Sequence, residues 1–465
     1  MRRPFSKDPK VETSLRHSVR DAVAHSAMSG AGESFFSAFA LFLKATNAQI
    51  ALLASIPPLL ASLAQLVSVR WGRYVKRRRS IILFGAYVQG FLWLPLVALP
   101  LLFPEHAVPL FITVIVLYQA SNHLIAPQWS SLMGDLVPQR KRGRYFGMRT
   151  RYATVASFSS LVVAGTVLHW FDAQSATVAG FIVIFSFAAI ARLVSAYHLS
   201  HMYEPPRAAE LPSVTFDRKA WTRRFRNSPA VRFSMFYAAF QASVSIASPF
   251  FTVYMLRDLK FSYLEFMCVT ATSVLLHFTS LPTWGRISDV WGNRVIIVFT
   301  GALITSFPLL WLVSTNIWFI IGVQMMSGLC WSGFGLATTN FLYDTVPAQK
   351  RCQYLAFHNV LGAVGVFAGA LLGGALAMWL PHEFTLGTYE ISWLTPLYGL
   401  FLISSLARMA VAALCLPRLR EVRDDRTASV GVLVRSTLRR MQRVPRVVLL
   451  VRELWNRRFP MPRSR

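Results

Sequence analysis

Acidic residues are scarce. Only 20 Asp and Glu stand against 48 Lys and Arg, and charged residues of both signs make up 15% of the 465 positions. Soluble proteins carry roughly 25%, so a string of soluble domains, which the length alone would permit, is excluded. Cysteine is rarer still. Cys268, Cys330, Cys352 and Cys415 keep no metal-ligand spacing and read as small apolar residues. The N-terminus offers no cleavable signal: Met1 to Arg20 is polar and the apolar run after it contains Glu33, so that run is read as a retained helix. Metal, nucleophile–base and phosphate-cradling motifs are missing, which argues against an enzyme and for no cofactor.

What the chain has is apolar length. Hydrophobic residues make up 54% and the mean hydropathy is +0.45. Runs of about 20 residues, enough to cross a hydrocarbon core, fall near 23–43, 47–69, 80–103, 108–133, 148–170 and 176–198. Six more follow near 231–256, 263–284, 294–314, 316–343, 355–380 and 391–416. These twelve spans predict an all-α integral membrane protein with both termini on one side. That side collects Lys76 to Arg79, Arg140 to Arg142, the Arg-rich stretch from Arg218 to Arg226 and both tails, whereas the opposite loops hold few cations. Positive loops stay in the cytoplasm, so both termini are placed there. The net charge of +28 is thus a topology signal, and no nucleic-acid partner is expected.

The two halves repeat each other at offsets of 209 to 216 residues. Trp71-Gly72-Arg73 answers Trp284-Gly285-Arg286. Asp135-Leu-Val-Pro138-x-x-Lys141-Arg142-x-x-Tyr145 answers Asp344-Thr-Val-Pro347-x-x-Lys350-Arg351-x-x-Tyr354. Phe185 with Ala191-Arg192 answers Phe401 with Ala407-Arg408. Thr46-x-x-Gln49 and Ser262-x-x-Glu265 both read as capping boxes at the start of a span, so Glu265 is a cap rather than a catalytic acid. The organisation predicted is a polar N-terminal segment (1–22), a six-helix bundle (23–198), a cytoplasmic linker (199–230), a second bundle (231–416) and a basic amphipathic tail (417–465). The tail, with Arg among Val and Leu, is read as lying on anionic lipid.

At the junction of spans 8 and 9, Gly285-Arg-Ile-Ser-Asp289-Val-Trp-Gly292-Asn-Arg294 resembles the Gly-x-x-x-Asp-x-x-Gly-x-Arg/Lys signature of the major facilitator superfamily. Asp135/Arg142 and Asp344/Arg351 resemble loops 4–5 and 10–11 of the same family. The resemblance covers about residues 20–416 and implies a fold of twelve transmembrane helices in two six-helix pseudo-symmetric bundles. It implies a cytoplasmic gate at Gly285, Asp289, Arg294, Asp135, Arg142, Asp344 and Arg351, with Gly285 letting two helices approach closely. The first half departs from the signature: Lys76 stands where Asp is expected and the loop is shorter. Span 4 lacks an Arg, and span 5 lacks a Gly-Pro pair, so proton antiport is not carried over from motifs.

In this fold spans 1, 4, 7 and 10 line the central cavity. Span 1 sets Ser26, Ser29, Glu33 and Ser37 on one face, and span 7 does the same with Gln241, Ser245, Ser248 and Thr252. Span 4 offers Gln119, Asn122 and His123, and span 10 offers Gln324, Ser327, Trp331 and Ser332. The cavity candidates are Glu33, Ser37, Asn122, His123, Gln241, Ser248, Gln324 and Trp331. Glu33 is foremost, because an intramembrane carboxylate is costly and marks function by default; burial favours its neutral form and makes it a candidate proton carrier. Arg192 and Arg408 are read as structural or gating residues snorkelling to the cytoplasmic ends. With no Arg deep in the predicted cavity, a neutral or cationic small polar molecule suits it better than a dicarboxylate. The expected function is secondary transport of a small molecule by alternating access in the cell inner membrane, with H+ coupling. The alternatives are a non-transporting sensor or scaffold on the same fold, and a lipid translocator.

Overall fold

The computed structural model describes residues 5–75, 77–138, 141–205, 228–346, 351–380, 383–386, 389–392 and 395–419. Most of the linker, the amphipathic tail beyond Leu419 and Lys76 lie outside the described residues. The N-terminal half consists of α1 (Pro9–Ala31), α2 (Phe36–Phe42), α3 (Asn47–Tyr74), α4 (Arg78–Phe91), α5 (Trp93–Leu102), α6 (Ala107–Leu136), α7 (Arg142–Ala173) and α8 (Thr177–Ser200). The C-terminal half consists of α9 (Pro229–Ser245), α10 (Phe250–Val253), α11 (Tyr263–Trp291), α12 (Asn293–Leu310), α13 (Ile317–Thr345), α14 (Arg351–Trp379) and α15 (Leu397–Cys415). Span 1 is α1 with α2, span 3 is α4 with α5, and span 7 is α9 with α10. Between spans 11 and 12 the strands β1 (Glu383–Leu386) and β2 (Tyr389–Ser392) form an antiparallel pair that the hydropathy pattern does not announce.

Among the described residues eleven helical spans are long and apolar enough to cross a membrane unaided. Span 1 is the twelfth, interrupted by a 3₁₀ turn at Glu33–Phe35. It also begins earlier than its apolar run: Asp8 caps α1 and Pro9 stands at its first turn. Residues from Phe5 onward therefore pack on the first half rather than trail from it. Phe5 stands edge-on to Tyr145 at 5.3 Å, and the Tyr145 hydroxyl donates to the Leu15 carbonyl at 3.0 Å. Both capping boxes form, Thr46 with Gln49 and Ser262 with Glu265.

Packing repeats between the halves as the sequence does. Span 1 packs on spans 5 and 6, and span 7 on spans 11 and 12; spans 2 and 4 pair as do 8 and 10. Across the halves α3 meets α14 and α7 meets α11. Outward faces carry exposed Leu, Val and Phe, with Trp170, Trp318 and Trp379 at one end and Trp71, Tyr74 and Tyr197 at the other. Apolar sides bounded by two aromatic belts are the surface a bilayer requires. The end bearing both termini is the basic end. At the opposite end Phe35 and Phe39 of the first half join Phe250, Tyr254 and Phe266 of the second in one apolar cluster. At the basic end each half keeps a cluster of its own. The halves are thus closed together far from the termini and parted near them.

Candidate functional site

Both first spans of the halves break at the same depth. In α1–α2 the helix stops at Gly32 and turns through Glu33; in α9–α10 it stops after Ser245 and restarts beyond Pro249. Pro249 has no amide hydrogen to continue a helix. On the Gly32 side, a Cβ would stand 2.3 Å from the Trp93 ring, so only glycine admits that indole. Glu33 and Ser248, related by the 215-residue offset, occupy the two breaks. Interrupted helices at matching positions of two repeats are where transporter sites are built.

In the first half the Glu33 carboxylate accepts from the Ser29 hydroxyl at 2.5 Å and from the Tyr118 hydroxyl at 2.6 Å. Behind Tyr118 lies a buried polar chain. Arg192, 2% exposed, donates through Nε to Gln89 at 2.6 Å and through a terminal nitrogen to Ser195 at 2.6 Å. Ser195 donates to Asp21 at 2.7 Å, and Asp21 is paired with Arg149 at 3.1 Å. Asp21 and two guanidiniums thus share one chain of bonds toward the basic end, with the Glu33–Tyr118 pair beside it at the break. Asn122, one turn beyond Tyr118, shares its face, and His123 follows; both are half-buried, as is Ser37 on α2.

In the second half Ser248, Gln324 and Trp331 line one cavity of about 170 Å³. Its walls include Phe251, Phe307 and Trp311, and it also takes in Ser327 and Arg408. Arg408 is 3% exposed, and its guanidinium donates to Ser404 Oγ, the Ile304 carbonyl and the Val244 carbonyl, each at 3.2 Å. Gln241 stands apart on α9, its buried Oε1 without a hydrogen-bond partner among the described residues.

These positions correct two expectations. Arg192 and Arg408 do not snorkel; each turns inward, because neighbouring spans supply oxygens inside the bundle that a lipid-facing side chain would lack. The cavity therefore does hold an arginine, and the argument against an anionic ligand falls with it. Tyr118, Gln89 and Asp21 were missed for a shared reason. None is among the polar residues read from the lining spans: Tyr118 reads as an aromatic on span 4, Gln89 lies on span 3, and Asp21 precedes the first apolar run.

At the basic end the predicted gate groups hold their own halves together. Asp135 accepts from Arg78 at 2.7 Å, and Arg78 also reaches Glu204 at 3.4 Å. Arg78 is buried, so these contacts stand where the first half departs from the signature. In the second half Asp344 accepts from Asn293 at 2.9 Å, and Asn293 is the 215-residue counterpart of Arg78. Ser288 in turn donates to Asn293 at 2.5 Å. Gly292 takes φ 81°, a left-handed turn that explains the signature's second glycine. Asp289 is exposed and Arg294 half-buried. The close approach expected at Gly285 is not made: a Cβ there meets nothing within 4 Å, since the halves are parted at this end. The Arg142 and Arg351 side chains lie outside the described residues.

Comparison with known proteins agrees with this architecture. The nucleoside transporter NupG superposes with a TM-score of 0.65 at 12% identity, covering 88% of this chain and all of that one. A bacterial homologue of the iron transporter ferroportin, in an inward-facing state, superposes at 0.63 with 12% identity, over 87% and 98%. Among sequence relatives, the class H tetracycline resistance protein of Pasteurella multocida is 30% identical over 156 residues, 33% of this chain and 37% of its own length. The multi-drug resistance efflux pump PmrA homolog of Lactococcus lactis subsp. lactis is 28% identical over 98 residues, 21% and 24%. The chain thus spans only 37% and 24% of these relatives' own length. The model of the Major Facilitator Superfamily matches residues 23–245 and again 233–460, once per half. With twelve spans, matched breaks and a duplicated family match, the chain belongs to the Major Facilitator Superfamily.

Proposed function

We propose that the chain carries a small organic molecule by alternating access, coupled to proton movement at Glu33. The observation that carries this is the Glu33 carboxylate in the break of span 1, bonded by two hydroxyls and by no cation directly. Ionised, it accepts from both Ser29 and Tyr118. Protonated, it must donate through its own hydroxyl, so one of those bonds changes sense. Tyr118 sits on span 4, so loading a proton alters the link between two cavity-lining spans. The resistance and efflux names of the two sequence relatives favour an organic cargo.

The positive loops favour a cytoplasmic basic end in a cell inner membrane, an orientation in which the arrangement is inward-facing. Turning outward would part the apolar cluster at the far end and the Arg257–Asn47 bond of 2.9 Å that crosses the halves there. It would bring Gly285, Asp289 and Arg294 against the first half as the cytoplasmic gate, with Arg142 and Arg351 nearby in the chain to Asp135 and Asp344. The C-terminal tail would rest on anionic lipid.

The test starts from thermal unfolding against sugars, amines, organic acids and drugs near pH 6 and pH 8, since any ligand of the folded state stabilises it. A stabilising compound is then followed, radiolabelled, into proteoliposomes under an imposed pH gradient. Glu33→Gln should abolish gradient-driven accumulation while leaving exchange at equal pH. Unchanged accumulation would remove Glu33 from coupling. A library without a stabilising compound would return weight to the sensor and lipid readings.

A further inference from the structure

The geometry points to an organic-anion subsite at Arg408, in the cavity of the second half, for a carboxylate carried on an aromatic body. For its role in transport this subsite rests on the alternating-access reading; the binding itself does not. The starting fact is a charge without a counter-charge. Among the described residues no carboxylate lies within ion-pair distance of Arg408, whereas its counterpart Arg192 is bonded through Ser195 to the Asp21 carboxylate. Arginine stays protonated in proteins, and an uncompensated cation deep in a membrane protein is expensive. The three oxygens that meet it are neutral and stand at 3.2 Å, longer than charge-assisted bonds run. Ser404 has already committed its own proton to the Ser243 carbonyl at 2.7 Å, so it can only accept from the guanidinium. Five N–H donors against three long neutral contacts leave capacity for a further acceptor.

The cavity supplies the place for one. Its volume of about 170 Å³ far exceeds the ~10–15 Å³ that a single water needs. Ser248 at the helix break is exposed, so a solute can enter past it. Ser327 and Gln324 add neutral hydrogen-bonding groups, and Trp311 and Trp331 add flat apolar walls. One cation, no anion, three neutral polar groups and two indoles describe a receptor for an aromatic monocarboxylate. The same list rejects an amine, which would meet like charge, and gives an amide no ionic reward.

A matched set of probes tests this: phenylacetate, phenylacetamide and phenethylamine share a ring and differ in charge. Thermal unfolding of the full chain in detergent and equilibrium dialysis of radiolabelled phenylacetate are measured from micromolar to millimolar concentration at neutral pH. Phenylacetate should stabilise and bind; the amide and the amine should bind at least ~tenfold more weakly. Arg408→Gln should weaken phenylacetate by ~tenfold or more, and Arg408→Lys should fall between, because a point charge lacks the planar fork. Ser248→Glu, which keeps Arg408 and offers it an internal carboxylate, should also lose phenylacetate and guards against a misfolded Arg408 variant. Phenylacetate binding is read in detergent without a pH gradient, so failure of the coupling reading leaves this result standing. Equal binding of the amide, undiminished binding in Arg408→Gln, or no phenylacetate binding at millimolar concentration would each overturn the subsite.

Discussion

The two halves place an arginine at the same point, Arg192 and Arg408, and surround it differently. Around Arg192 stand Gln89, Ser195, Asp21 and, beyond Tyr118, Glu33. At the corresponding positions the second half has Ile304, Val411, Phe236 and Ser248. Each polar or acidic partner has become apolar or neutral, yet the cation remains. Duplication thus left one scaffold with two chemistries: a carboxylate-bearing network that ties four spans of the first half together, and an unbalanced cation facing a cavity in the second. The first arrangement suits proton handling and rigidity; the second suits a ligand that brings its own charge. A duplicated fold can divide coupling and binding between its copies in this way without altering its helix packing.

The largest effect should come from cutting each arginine in turn without ligand. Arg192→Gln removes the cation that Gln89, Ser195 and the nearby carboxylates are arranged around, and breaking a buried charged network costs about 3–5 kcal/mol. Arg408→Gln removes a charge no carboxylate answers, so thermal stability should stay within ~1 kcal/mol of the parent or rise. Thermal unfolding in detergent decides the matter. Equal losses in the two variants would mean that the halves treat their arginines alike.

Glycines sharpen the contrast between fixed and moving contacts. On α14, a Cβ at Gly365, Gly369 or Gly373 would stand 2.0–2.2 Å from the carbonyls of Ala238, Ala242 and Ile246 on α9. Backbone cannot yield as a side chain does, so Gly369→Val should cost at least ~1–3 kcal/mol and lower the unfolding temperature. Gly285 has open space around it, and inside a helix alanine exceeds glycine by up to ~1 kcal/mol. Gly285→Ala should therefore keep or raise stability while slowing transport, because its close contact belongs to the state in which the basic end is shut. A drop in stability with transport intact would show Gly285 to be a packing residue.

Much of this was legible in the chain, for physical reasons that also mark where reading stops. Span positions follow from apolar length, and the capping boxes at Thr46 and Ser262 from spacing local to one helix start. Ser248, Gln324 and Trp331 meet in one cavity because stripes on lining helices converge once the bundle closes. Arg408 escaped because the same residue on a helix can snorkel or turn inward, and only the oxygens of Ile304 and Val244 on neighbouring spans and of Ser404 one turn away decide which. The helix breaks escaped because apolar periodicity runs straight through a single 3₁₀ turn; Gly32 and Pro249 were the available signals. Asp21 lay outside the apolar run, so its burial could not be read from hydropathy.

The smallest effect concerns the N-terminal arm of the first half. His17 faces His198 with Nδ1 atoms 3.1 Å apart and stacks on His201. Burial, and then the neighbouring charges of His198, Arg20 and His201, hold His17 below the ordinary imidazole range. A lowered value means that the unfolded chain takes up this proton more readily than the folded one. The contribution is therefore fully present above about pH 6.5 and is lost as pH falls through that range. His17→Phe keeps the stacking and removes the proton. Its unfolding temperature should fall less than the parent's between pH 7.5 and pH 5.5, by about a degree. An identical pH response in both would show that the arm is held by Phe5, Glu12 and Tyr145 alone, and that the histidine cluster does not couple acidity to the first half.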